Sequence, residues 1–402
     1  MDSNGRGLWG QVAQVWRALG VNESPLLRDM QRPERTRGGE RLAAVSLLAG
    51  LLAALVIAWR IGTGAEGLMI IAAVGIIVMV PALVALASRG QAGRLAMGWL
   101  WLLLASLAGL TGGTIVIIML AIVAIVVFIA CGVDPNVMQS AIKLIQSPNF
   151  KPGYWPMLAL VWTLAITNGA MMLTFVWLAS LVGRKPLKLS FTTARRWRWR
   201  QLAGGLVLYG AALGVMQLVE IIFFGQKAAL PVFALSPSLP MGLLFVALAM
   251  VGLTLAAGAE ELVFRGWLLR NAAGLTRWTW VFLLINGVLF SAVHGDFDPN
   301  AFIARAAMGV GFSYMALRMG GIEFSTGAHT ANNLLIVLFI EPLTLVTPPP
   351  MPFDPGSLVE TSVMFILIIA VTEIAIRVPF LAALIGPPSP GADPGAANEA
   401  FS

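Results

Sequence analysis

The sequence predicts an all-α, polytopic integral membrane protein. Of its 402 residues 58% are apolar and only 11% are charged, against about 25% charged in a soluble domain, so there are too few charges to cover a water-facing surface. The apolar residues also fall in blocks of about 20, the length that crosses a hydrocarbon core about 30 Å thick, and the mean hydropathy is +0.85. Reading those blocks along the chain gives about nine to ten spans of the length a bilayer requires.

The N-terminal segment 1–41 carries seven Arg and no long apolar block, so no cleavable signal peptide is expected. Within it Leu8, Val12, Val15, Trp16 and Leu19 recur at helical spacing, the pattern of an amphipathic helix lying on a membrane surface. Spans are expected at Leu42–Trp59, Gly67–Ala87, Leu95–Cys131, Pro156–Val182 and Leu202–Phe224. They continue at Met241–Gly258 with an extension to Arg270, then Trp278–His294, Phe302–Leu317, Ser325–Ile340 and Leu358–Ile376. The Pro/Gly/Ala-rich tail 387–402 reads as disordered. The chain thus divides into a cytoplasmic tail (1–41), N-terminal transmembrane helices (42–183), a basic loop (184–200), a C-terminal membrane domain (201–386) and the final tail.

Charge orients these pieces. The loop Arg184–Arg200 holds seven Lys or Arg and no acid, and loops of that kind stay on the cytoplasmic side. With the tail 1–41 on the same side, an even number of crossings separates the two, so Leu95–Cys131 should cross once. Its length and the glycines around Gly109-Leu110-Thr111-Gly112-Gly113 predict a tilted, broken helix. The net charge of +7 belongs to this topology and to anionic headgroups rather than to nucleic acid. The single cysteine, Cys131, excludes an intrachain disulfide or a cysteine metal cluster.

Upstream of the basic loop the spans hold almost no ionisable groups; downstream, polar groups sit inside apolar blocks. Glu260 and Glu261 end a strongly apolar run, and a carboxylate at bilayer depth is unfavourable by several kcal/mol unless paired or protonated. Glu261 and Arg265 stand one helical turn apart and can neutralise each other. Glu260 points about 100° away and is free for another partner. Phe290 and His294 are also four apart, as are His329 and Asn333, and a histidine and an amide one turn apart can both donate to one oxygen. The chain has only two histidines, and both fall in these groups. Asn332 reads as helix packing, Asp296 and Asp298 as solvent-facing turn residues, Glu373 and Arg377 as a structural pair, and Gly210 with Gly214 as a packing pair.

Glu260, Glu261 and Arg265, then Phe290 and His294, then His329 and Asn333 resemble the EExxxR, FxxxH and HxxxN motifs of the CAAX protease and bacteriocin-processing enzyme family, the relatives of the type II CAAX prenyl endopeptidases. The resemblance covers roughly Leu202 to Ile340. It implies an intramembrane endopeptidase with its cavity between helices of the C-terminal half, acting on peptides with a hydrophobic or lipidated segment. Glu260 and His294 are then expected to hold and deprotonate a water, His329 and Asn333 to stabilise the oxyanion, Arg265 to fix Glu261, and Phe290 to shape the site. No cofactor is expected. The alternative is a zinc site made by Glu260, His294 and His329, a plausible ligand set.

There is no HExxH zinc motif, no GxSG serine setting and no GxGD aspartyl motif. A silent member of the family acting as a membrane scaffold or immunity protein is the competing reading. A transporter with carboxylate relays is disfavoured by the lack of repeats and by the clustering of ionisable groups in three helices. Partners are therefore membrane lipids and a hydrophobic peptide, in a membrane that resembles the bacterial inner membrane, with the N-terminus cytoplasmic.

Overall fold

The computed structural model describes residues 71–388 apart from 140–153, 226–235, 341–350 and scattered positions between them, together with Ser46, Leu48 and Gly50. The expected surface helix in 1–41, almost all of the span 42–59 and most of the tail 387–402 lie outside the described residues. Eleven α-helices are used below: α1 (Val80–Ala87), α2 (Gln91–Ala130), α3 (Tyr154–Gly183), α4 (Trp199–Phe224), α5 (Leu239–Glu261), α6 (Leu269–Leu275), α7 (Thr279–Ala292), α8 (Pro299–Met319), α9 (Glu323–Leu335), α10 (Gly356–Arg377) and α11 (Pro379–Ile385). Among the described residues there is no strand, only an isolated antiparallel bridge between Thr192 and Gly321.

The chain is a polytopic all-α membrane protein. Five helices are long and apolar enough to cross a bilayer: Gln91–Ala130, Pro156–Gly183, Trp199–Phe223, Leu239–Ala273 and Gly356–Arg377, with Gly75–Ala87 and Thr279–Ala292 as shorter apolar helices. The long run 239–273 joins α5 to α6 through a π-helical segment, Leu262–Leu268. Helices α8 and α9, expected as spans, are the least apolar because they form the interior of the bundle. In α9 every residue from Glu323 to Asn332 is buried.

The expected break in α2 is absent. Gln91–Ala130 is one continuous helix of 40 residues, about 60 Å long at 1.5 Å per residue, so it runs without reversal. Its glycines serve packing instead. A Cβ on Gly109 would sit 2.5 Å from the Phe175 ring and one on Gly113 2.8 Å from Met171 Cγ, so the missing side chains let α3 lie against α2. Beyond this contact Ile115, Ile118, Met119, Ile122 and Val126 are all exposed, the surface a helix offers to lipid.

Helix α9 is held by α4 on one side and α5 on another. Against α4 the backbones nearly touch: a Cβ on Gly327 would collide with the Leu202 carbonyl, and one on Gly205 with the Phe324 carbonyl. The segment before α4 then crosses the start of α9. Thr193 donates to the Gly320 carbonyl through both N–H and hydroxyl, and Ile322 N–H donates to the Phe191 carbonyl at 3.1 Å. Arg198 makes a forked pair with Glu323, at 3.0 and 2.7 Å, and caps the Met319 carbonyl at 2.7 Å. Part of the basic loop is therefore a strap over the inner helix.

Two acidic residues depart from or extend their expected roles. Asp298 is buried and caps α8, accepting from Asn300 and Ala301 N–H at 3.0 Å each and from Met351 N–H at 2.6 Å. Those N–H donors, Ala301 first, hold its carboxyl below the ordinary aspartate value. Asp296 remains partly exposed and pairs with Arg305 at 2.8 Å. Glu373 pairs with Arg377, as the spacing indicated, and also binds Arg318 and the Tyr314 hydroxyl from α8.

The close approach of α4 and α9 yields a direct test. Gly327→Ala should lower the stability of the detergent-solubilised protein by about 1–3 kcal/mol, the usual penalty of overpacking, while Gly169→Ala, at an open position on α3, should leave the melting temperature unchanged. Equal melting of the two variants would contradict the packing assigned to this pair of helices.

Candidate active site

Glu261 is the last residue of α5 and is fully buried. Its Oε1 accepts from Arg265 Nη1 at 2.9 Å and from His329 Nδ1 at 3.0 Å, and its Oε2 accepts from the Ser325 hydroxyl at 2.7 Å. The carboxylate is thus satisfied by one cation and two further donors, which a buried charge requires. Arg265 is itself buried, 1% exposed. Its guanidinium carbon lies 4.3 Å from the Phe290 ring centroid and 5.5 Å from that of Phe312, a cation sheltered by aromatic faces. The pairing read from the i, i+4 spacing is present. Glu261 does more than balance Arg265, however, because it also fixes the site histidine.

His329 lies on α9 with its ring stacked on Phe312 at 5.2 Å and edge-on to Phe290 at 5.8 Å. A carboxylate can only accept, so Nδ1 carries the proton in the bond to Glu261, and this partner assigns the tautomer. The other nitrogen, Nε2, is directed at Glu260, 3.7 Å from Oε2. That separation exceeds a direct hydrogen bond, but a water placed to one side reaches both atoms. Glu260 is 15% exposed at its side chain, and its buried Oε2 has no hydrogen-bond partner among the described residues.

Two other expected residues lie next to His329 or one turn beyond it. Phe290 is buried and its ring touches both histidines, 5.0 Å from His294 and 5.8 Å from His329. Asn333 is half-buried one turn beyond His329. Its Oδ1 accepts a long bond from Asn332 at 3.4 Å, which leaves the donor face of its amide for another group.

His294 departs from expectation. It was expected beside Glu260, yet α7 ends at Ala292 and His294 lies in the turn that Gly295 closes at φ +68. The side chain is exposed, and Nδ1 donates back to the Phe290 carbonyl at 2.8 Å. Among the described residues the histidine facing Glu260 is His329. The contact of His294 with the site residues is with the Phe290 ring, at 5.0 Å.

The same geometry bears on the zinc alternative. A zinc ion needs three protein ligands around one point, and no such group of His, Cys, Asp or Glu exists among the described residues. Glu260 and His329 come together, but among the described residues His294 does not join them in a group that could hold a metal. Sequence reasoning missed Ser325, Phe312 and Arg198 with Glu323. Ser325 and His329 share an i, i+4 relation on α9 that matches the one between Glu261 and Arg265, and that repeat is the signal that could have found it.

Residues 242–335 match the type II CAAX prenyl endopeptidase Rce1-like family. The match is narrower than the resemblance expected over 202–340, and it contains Glu260, Glu261, Arg265, Phe290, His294, His329 and Asn333. Over 172 residues the chain is 29% identical to the uncharacterized protein YyaK of Bacillus subtilis (strain 168), covering 41% of this chain and 56% of that one. The chain therefore spans little more than half the length of this curated relative. No solved structure matches the chain. The part of the chain that holds the three motifs is thus similar to the type II CAAX prenyl endopeptidase Rce1-like family that those motifs resemble.

Proposed function

We propose that this protein is an intramembrane endopeptidase that hydrolyses peptide bonds in substrates carrying a hydrophobic or lipidated segment. The observation that carries the reading is the pairing of Glu260 Oε2 with His329 Nε2 at 3.7 Å, with the opposite face of His329 fixed by Glu261. Glu260 is the base that takes a proton from the attacking water. The water lies beside the Glu260–His329 pair.

His329 serves the oxyanion only when Nε2 also bears a proton, because Nδ1 already carries one. With the water's proton shared between Glu260 and His329, the imidazolium and the Asn333 amide become donors to the developing oxyanion. Passing that proton from imidazolium to the departing amine completes the cleavage. The water's oxygen forms the new C–O bond, the C–N bond breaks, and Glu260 returns to its carboxylate. No metal takes part in these steps, and the reading needs no cofactor. Convergence of Glu260, Glu261 and His329 on one place supports this over a transport path, which would string such groups through the membrane.

The segments 1–41 and 184–200 are placed on the cytoplasmic side of a bacterial inner membrane, on the strength of their positive charge. In a Cys131→Ser background, single cysteines introduced at Ser3 and at the exposed Arg196 should react with an impermeant thiol reagent only in inverted vesicles. Labelling of the two from opposite faces would refute this topology.

The catalytic reading is tested with purified protein, a quenched farnesylated peptide and a quenched transmembrane peptide. Glu260→Gln should abolish cleavage and leave the melting temperature intact. Asn333→Ala should lower kcat roughly 10²–10³-fold, the usual loss of one oxyanion donor. Glu261→Gln should lose folded protein as well as turnover, since leaving Arg265 unpaired in a buried site costs about 3–5 kcal/mol. Wild-type rates in Glu260→Gln would overturn the assignment of the base. Absence of cleavage by the wild type, with retained binding of the peptides, would favour the membrane-scaffold reading.

A further inference from the structure

The turn after the two glutamates is not α-helical. In the π segment Leu262–Leu268 the Leu269 N–H bonds to the Phe264 carbonyl five residues back, an irregularity found mostly at functional sites. The same carbonyl accepts a second bond, from Asn286 Nδ2 on α7 at 2.6 Å. A carbonyl needs a donor, so this contact fixes the orientation of the Asn286 amide. Its Oδ1 then faces the Ser313 hydroxyl on α8 at 2.9 Å. Ser313 also reaches the Gly309 carbonyl at 2.7 Å, its single proton serving one acceptor at a time.

Gly309 closes the circuit, because its carbonyl accepts from Arg265 Nη2 at 3.3 Å. Arg265 holds Glu261, and Glu261 holds His329. Asn286 and Ser313 are fully buried, and both are more than four residues from any group in the three motifs they serve except Phe290. The helices meet closely enough for this only at two glycines: a Cβ on Gly287 would lie 2.5 Å from the Ala306 carbonyl, and one on Gly309 2.7 Å from Gly287 Cα.

We propose that Asn286, supported by Ser313, is a positioning residue that holds the π turn through the Phe264 carbonyl and so sets how Glu261 meets His329. A fully buried amide is unfavourable unless its donors and acceptor are engaged, and an apolar side chain of the same size would fill the space without that requirement. The amide is engaged at the one turn that aims Glu260, Glu261 and Arg265. The inference rests on the hydrolase reading only for the chemistry that His329 performs.

The chain's two histidines make the test direct. The full-length protein, labelled with ¹⁵N-histidine and held in lipid nanodiscs, gives two imidazole spin systems. In the wild type His329 should show a single Nδ1–H tautomer. In Asn286→Leu its signals should move toward mixed tautomers while those of His294 stay in place and the protein remains folded. Ser313→Ala, which deletes only the hydroxyl that supports the amide, should move them in the same direction by a smaller amount. Cleavage of the quenched peptides should fall roughly 10–100-fold in kcat with KM unchanged, as for a small misplacement of reacting groups. Unchanged His329 signals in folded Asn286→Leu would overturn the proposal. Equal movement of both histidines, or loss of the fold in both variants, would also overturn it by reducing the amide to a packing element. A wild type that cleaves neither peptide would fail the hydrolase reading and leave the spectroscopic result standing.

Discussion

The Glu261 carboxylate is the constraint on which the rest of the C-terminal domain depends. A fully buried charge must have its partners in place at once, and removing one partner from such a group typically costs about 3–5 kcal/mol. Glu261 takes Arg265 from the turn after α5, and Ser325 and His329 from α9. Those three contacts fix the register of α5 against α9, since a shift of one residue on either helix rotates a donor away by about 100°. They also explain why α9 is tolerated inside a membrane protein. Its polar face is consumed by Glu261 and Arg198, and its small residues lie against the backbone of α4.

The charges of the site follow from the same constraint. Arg265 is permanently protonated and is balanced by Glu261. What remains is Glu260 with His329, a pair whose sum is neutral when the proton sits on either partner, as acid and imidazole or as carboxylate and imidazolium. A proton can therefore move between them without creating a net buried charge, the most expensive event in a poorly solvated cavity. This makes the doubled glutamate intelligible: one acid cancels the arginine and orients the histidine, and the other keeps its lone pairs for a reacting molecule.

Much of this was legible in the sequence because it is local. The helical class and most spans follow from the length of apolar blocks, and the Glu261–Arg265 pair follows from a spacing of one turn. The reading failed at His294 in another way: the i, i+4 contact with Phe290 is present, with the rings 5.0 Å apart, yet the histidine that faces Glu260 is His329. It failed again in α2, where glycines read as breakers are contacts for Phe175 and Met171. Within a membrane helix the lost backbone bonds have no water to replace them, so glycine interrupts less than it does in a soluble chain. The bond from His329 to Glu261 was out of reach for another reason. It joins residues 68 apart, and periodicity carries no information about which face of one helix meets which face of another.

The basic loop shows how one segment can satisfy two demands that sequence patterning cannot separate. Seven cations between 184 and 200 look like a topology signal alone. Arg198 is also the partner of the buried Glu323, at the first turn of the helix that carries His329. A guanidinium is most stable near the membrane–water boundary, where its head stays solvated while its stem lies along apolar surface, and Arg198 keeps 16% of its side chain exposed. From Glu323 to His329 is six residues of helix, about 9 Å of axial rise. The Arg198–Glu323 pair therefore anchors the first turn of α9 within this distance of the histidine, and the charges that mark the loop and the charge that holds the inner helix belong to one short stretch.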